Sequence, residues 1–157
     1  MTIANSPVSR TETQLRDILS RRIMILDGAM GTIIQQYKLD EMAYRGGADG
    51  RFATFAAPAG SGARELFVKG NNELLTLSQP HIIQEIHERY LAAGADMIET
   101  NTFGATGIAQ DDYHMAHLAY EMNVEAARLA RAACDKYSTP DKPRFVCGAL
   151  GPTPKTA

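Results

Sequence analysis

Residues 95–106, ADMIETNTFGAT, decide how the rest of the chain is read. The stretch begins as a short apolar strand and turns polar at Glu99, Thr100, Asn101 and Thr102, with Phe103 and Gly104 closing the turn. In parallel α/β folds ligands bind where strands end, because the loops leaving the carboxyl ends converge there while the opposite ends hold the fold together. Asn101 and Thr102 are therefore expected on a binding face. Glu99, two residues from Asn101, points to the same side of the strand and is expected deep in the fold, satisfied by interior partners.

Working outward, the same order of helix, strand and polar turn recurs. Before the central stretch, Pro80 opens and Gly94 closes a helix whose buried stripe is Ile82, Ile83, Ile86 and Tyr90. His81 and His87 are six apart, so they lie on different faces of that helix; they are read as solvated or half-buried, not as a metal pair. After it, Leu118, Met122, Ala126, Leu129 and Ala133 fall at helical spacing within a pattern from 108 to 137, with a break expected near His114. Its methionines are core filler. Residues 23–26, IMIL, are too short and apolar for a helix and run as a strand into Asp27-Gly28-Ala29-Met30-Gly31-Thr32. A third strand, 145–150, ends in Gly151-Pro152-Thr153.

Asp before Gly can be a mere turn-former, but a strand's end beside two glycines that admit a ligand to the backbone suits binding at least as well. The Gly-x-x-Gly spacing with no following phosphate-binding lysine makes a nucleotide loop a weak reading. An α/β enzyme handling a phosphate at the Gly28 to Gly31 loop remains an alternative.

Strands alternating with helices imply parallel βαβ units, and strands apolar throughout imply a sheet covered on both faces. Residues 1–10 read as loose, and Leu15, Ile18 and Leu19 give a short amphipathic helix before residue 22. Between 46 and 66 the composition shifts to glycine, alanine and proline, and this is expected to be a flexible insertion tacked to the surface by Phe52 and Phe55.

The chain has 157 residues, 45% of them hydrophobic and 22% charged, which is ordinary globular material sufficient for one core. Sixteen basic against eighteen acidic residues leave a formal charge of −2, giving no field to steer nucleic acid or an anionic membrane. There is no apolar run of roughly 20 residues to span a bilayer, no signal-peptide core, and Glu12 and Asp17 interrupt the arginines that a mitochondrial leader would need. A cytoplasmic protein is expected. Cys134 and Cys147 are too few for a disulfide framework and are not spaced as zinc ligands.

Four segments in fixed order, ILDGAMGT at 25–32, KGNNELLTLSQP at 69–80, AGADMIETNTFGAT at 93–106 and GALGPT at 148–153, resemble the homocysteine-binding domain of cobalamin-dependent methionine synthase, in the homocysteine S-methyltransferase family. The resemblance covers nearly all of the chain after residue 20 and departs at 56–66, where this loop is longer. It implies an N-terminal portion, about three βα units, of a (β/α)8 TIM barrel spanning 23–157, preceded by a 1–22 segment. It further implies methyl transfer from methylcobalamin, and ultimately methyltetrahydrofolate, to homocysteine, whose thiol zinc would convert to a thiolate. A thiol of pKa about 8.5 is mostly protonated at neutral pH, which is why a metal is needed.

By the same resemblance Asp27 would accept from the substrate ammonium, the backbone around Gly28 and Ala29 would receive its carboxylate, and Asn101 and Thr102 would line the pocket. The family's three zinc cysteines come from late barrel strands and neither Cys134 nor Cys147 matches them. The implied partners are therefore the remaining barrel and folate- and cobalamin-binding domains, and the chain alone is expected to be inactive and not to hold zinc tightly. Alternatives are a homocysteine S-methyltransferase with another donor, to which the KGNN segment fits less well, and a non-catalytic half-barrel module.

Overall fold

Arg22 and Asp96 set the frame of the molecule. In the computed structural model, which describes residues 8–59 and 66–153, the Asp96 carboxylate accepts both Arg22 Nη1 (2.7 Å) and Arg22 Nη2 (2.9 Å), and also the Ile25 N–H at 2.9 Å. This pins the chain leaving helix α1 (Arg10–Arg21) beside the strand to come. Helices α2 (Met30–Gln36) and α3 (Glu41–Tyr44), a 3₁₀ turn at Asn72–Leu74, α4 (Leu75–Ser78) and α5 (Pro80–Ala93) follow. Next come strand β1 (Met97–Glu99), α6 (Gly107–Gln110), α7 (Ala119–Tyr137) and strand β2 (Phe145–Cys147). The fold is mixed α/β.

β1 and β2 pair in parallel, Ile98 opposite Val146. The expected first strand is reduced to a single parallel bridge, Leu26 to Met97. Two ladder bonds form, Met97 N–H to Ile25 O at 3.2 Å and Asp27 N–H to Met97 O at 3.0 Å. The next donor in the ladder, Glu99 N–H, goes to Asp27 Oδ1 at 3.0 Å, so a side chain ends the strand by taking the bond that its own carbonyl would take. Cover over the sheet is uneven: Ile98 and Phe145 are buried, whereas Ile25 and Leu26, on the edge held by the single bridge, are about half exposed.

Both signals of the central helix hold. Pro80 occupies its first turn and Gly94 closes it in the left-handed region at φ 112°. The chain breaks at His114, also left-handed, between two 3₁₀ turns. Two apolar clusters meet at Tyr90: a larger one around Ile34, Leu74, Leu75, Ile83, Ile86, Met115 and Met122, and a smaller one around Leu91, Ile98, Ala130, Ala133 and Cys134. In α1 only Ile18 is buried, while Leu19 faces outward, so the stripe is narrower than its spacing suggested.

Two expectations need correcting. Phe52 is a core residue, 3% exposed, not a surface tack. Arg45 holds the segment around it: its guanidinium donates to Phe52 O, Phe55 O and Leu66 O, while Glu41 pairs with Arg45 and accepts the Val68 and Lys69 N–H groups. Burial pushes the Glu41 carboxyl up, but these donors outweigh it and hold it below the ordinary range. Residues 60–65 of the insertion, and 1–7, lie outside the described residues. His87 is fully buried rather than half-solvated. Both ring nitrogens lack a hydrogen-bond partner, and burial lowers its pKa to about 4.

Candidate functional site

A cavity of about 440 Å³ opens where the 27–31 segment, the 72–73 turn and the ends of β1 and β2 converge. All five residues singled out from the sequence, Asp27, Gly28, Ala29, Asn101 and Thr102, line it. Asn72 and Glu73 of the 3₁₀ turn, Phe103 and Ala149 complete the wall.

Asp27 is half-buried, its Oδ1 held by the Glu99 N–H, and no basic residue is among the cavity's lining. Burial raises its pKa to about 6; the Glu99 N–H pulls it down and the Glu99 carboxylate pushes it up. Such a carboxyl is uncomfortable as an anion without a cation. Glu99 itself is exposed, contrary to the expected deep position, because it leaves β1 just where the strand opens into the cavity. Gly28 and Ala29 are exposed at the rim. A Cβ on Gly28 would meet Tyr90 Oη at 3.5 Å, ordinary contact, so the glycine serves access more than clearance.

Asn101 and Thr102 reach the cavity with their donors already committed. Asn101 Nδ2 donates to Asn72 O (2.8 Å) and Thr76 Oγ1 (3.2 Å), tying the strand end to α4. Thr102 Oγ1 donates to Ala149 O (2.8 Å), Thr100 Oγ1 accepts the Ala149 N–H (3.1 Å), and the two hydroxyls lie 2.6 Å apart. These threonines carry the β1–β2 ladder on beyond the point where the backbone parts. Each side chain thus braces the wall, and what it can still offer a ligand is an acceptor oxygen or its surface.

The sequence reading missed Asn72 and Glu73 as wall residues, though they stand within the KGNNELL segment. Tyr44 donates to Asn72 Oδ1 at 2.8 Å and Glu73 Oε1 accepts the Gly104 N–H at 2.8 Å. Their signal was two polar residues directly before an apolar helix, which reads equally well as a cap.

Zinc, implied by the resemblance, finds no fitting ligand set among the described residues. Among the described residues no group of three or more His, Cys, Asp or Glu side chains could hold a metal ion. Cys134 is buried, donates to Phe145 O at 3.4 Å, and burial pushes its thiol up to about 11, the reverse of a thiolate ligand. The chemistry these residues support is binding and orientation. Among the described residues, no helix is long and apolar enough to cross a membrane.

Residues 24–157 match the homocysteine S-methyltransferase family, and the chain belongs to it. In fold it is similar to the homocysteine methyltransferase MmuM from Escherichia coli. Against the oxidized form the TM-score is 0.63 at 21% identity, covering 88% of this chain and 40% of that one. Against the metallated form the TM-score is 0.59 at 22% identity, covering 88% and 41%. The chain thus spans about two fifths of the length of these solved structures.

Proposed function

We propose, with membership of the homocysteine S-methyltransferase family as premise, that this chain supplies the amino-acid-binding part of an enzyme that methylates homocysteine on sulfur to give methionine. The observation that carries the reading is Asp27: a half-buried carboxylate in a cavity with no basic residue in its lining, at a strand's end, where an ammonium group would relieve it. In this reading Asp27 binds the ammonium, the exposed backbone at Gly28 and Ala29 receives the carboxylate, and Asn101 and Thr102 shape the floor. The thiol then lies toward the open side, where its sulfur loses a proton and gains the methyl group. Residues 23–157 are read as about three βα units at the start of a (β/α)8 barrel, and 1–22 as an N-terminal segment with a short helix.

The finer reading is a methionine synthase with methylcobalamin as donor, metal and donor being held by parts of the protein beyond these residues; the KGNN segment at 69–72 favours it. A homocysteine methyltransferase with another donor is the second reading. The test is calorimetric titration of the chain with homocysteine, alongside a methylation assay that compares methylcobalamin with other methyl donors in a protein containing the complete barrel. Saturable binding of homocysteine supports the site. No binding to the folded chain contradicts it.

A further inference from the structure

The turn that forms one lip of the cavity is held by its main chain on three sides. Phe103 O accepts the Gly151 N–H (3.0 Å), Gly104 N–H donates to Glu73 Oε1 (2.8 Å), and Gly104 O accepts Gln110 Nε2 (3.0 Å). Gln110 is itself fixed by a reciprocal amide pair with Asn71, at 2.7 and 3.1 Å, and both residues are 1% exposed. The glycines permit this closeness. A Cβ at Gly151 would fall 2.5 Å from Phe103 O, and one at Gly104 would fall 3.1 Å from Glu73 Oε1.

So much anchoring for an exposed turn asks what it presents. It presents the Phe103 ring, which lines the cavity and remains 61% exposed at its mouth. An aromatic ring left in water beside a polar cavity loses apolar burial that a ligand's carbon and sulfur atoms would restore. Gln110, which is buried, and Gly151 hold the turn's carbonyl groups, whereas Glu73, which lines the cavity, holds its Gly104 N–H.

We propose that Glu73 is a positioning residue of this site: by accepting the Gly104 N–H it fixes the Phe103–Gly104 turn so that the Phe103 ring forms an apolar lip over the side chain of a bound thiol amino acid. The proposal rests on the homocysteine reading for its ligand and on geometry alone for the turn. Glu73 does not contact the ammonium; Asp27 does.

Two measurements test it separately. Amide hydrogen exchange at Gly104, followed by NMR on the full chain, needs no ligand: exchange should quicken about tenfold in Glu73→Ala, on the scale of one charge-assisted hydrogen bond, and return to the wild-type rate in Glu73→Gln, which keeps an acceptor oxygen. Homocysteine affinity should weaken about tenfold in Glu73→Ala and recover to within about threefold in Glu73→Gln. If the residue acts through the lip, Glu73→Ala should add nothing to Phe103→Ala in a double-mutant cycle. Should Glu73→Ala fail to fold, Glu73→Asp, which withdraws the acceptor by one methylene, is read in its place. Unchanged Gly104 exchange overturns the proposal whatever binds. Equal losses of affinity in the Ala and Gln variants overturn it too, since charge would then be what matters. A wild-type chain that binds no homocysteine sinks the functional reading and leaves the exchange experiment to judge Glu73.

Discussion

Two carboxylates bracket β1, and they are held in opposite ways. At its start Asp96, 1% exposed, is gripped by the Arg22 guanidinium; that bond, with the Ile25 N–H helping against burial, drops its pKa to about 2. At its end Asp27 accepts the Glu99 N–H and has no ion pair among the described residues, and burial lifts its pKa to about 6. Both make the same kind of cross-chain bond to the neighbouring segment's N–H. The difference lies in what the structure leaves undone: Asp96 is complete, whereas Asp27 keeps charge and lone pairs for something not supplied by the fold. A completed carboxylate stabilises, and an incomplete one is available to a ligand.

The comparison breaks most visibly under substitution. Asp96→Ala strands Arg22 and the Ile25 N–H, and should cost about 2 to 4 kcal/mol by urea unfolding, below the full value for a buried pair because the Arg22 side chain is 42% exposed. Its linkage has a fixed sign: a depressed pKa contributes stability above pH 3.8 that is lost as pH falls toward 2. Asp27 has the opposite sign, its folded state being favoured by protonation and losing that contribution as pH rises through 6. Asp27→Asn should therefore leave the protein no less stable at neutral pH. A loss for Asp27→Asn as large as for Asp96→Ala would erase the distinction.

Asn101→Ala sharpens it from the other side. Because its amide protons hold Asn72 O and Thr76 Oγ1, removing them should lower stability by about 1 to 3 kcal/mol as well as weaken binding, measured by thermal melts beside titrations. Stability unchanged with binding lost would make Asn101 a pure ligand contact.

Much of this frame is legible from residues alone. The strand running into ETNTFG, the Pro80 and Gly94 bounds of α5 and the break at His114 follow from periodicity and turn chemistry, and the strand-end rule points to Asp27, Asn101 and Thr102; naming Gly28 and Ala29 beside them took the family resemblance. What could not be read are bonds chosen by distant partners. Residues 23–26 read as a full strand because nothing local says that Asp27 will cap the ladder 72 residues away. Nothing in the sequence around Arg45 signals that the carbonyls of Phe52, Phe55 and Leu66 converge on it. The Thr102 hydroxyl looked free for a substrate until Ala149, just beyond β2, arrived to accept its hydrogen bond and to donate to Thr100 Oγ1.

The smallest effect comes from a control, a buried ionisable group with neither role. His87 has no partner for either nitrogen, so His87→Leu should be neutral or stabilising by up to about 1 kcal/mol at pH 7, with the gain growing as pH falls from 6.5 toward 4, where the wild-type imidazole resists charging. Urea titrations at pH 7 and pH 5 read this directly. A large loss would reveal a polar role for His87.

The central proposal is that Asp27, ionisable and without an ion pair among the described residues, binds an ammonium group. Calorimetric titration with homocysteine at pH 5 and pH 7, on wild type and Asp27→Asn, tests it most directly, since an α-amino group titrates above pH 7 and keeps its proton at both values. With Asp27 titrating near 6, wild-type affinity should rise roughly tenfold from pH 5 to pH 7. The variant should bind more weakly at pH 7, by about 1.5 to 3 kcal/mol, and show no such rise. Wild-type affinity flat across the two pH values, or an Asp27→Asn variant that binds homocysteine as well as wild type at pH 7, would contradict the account.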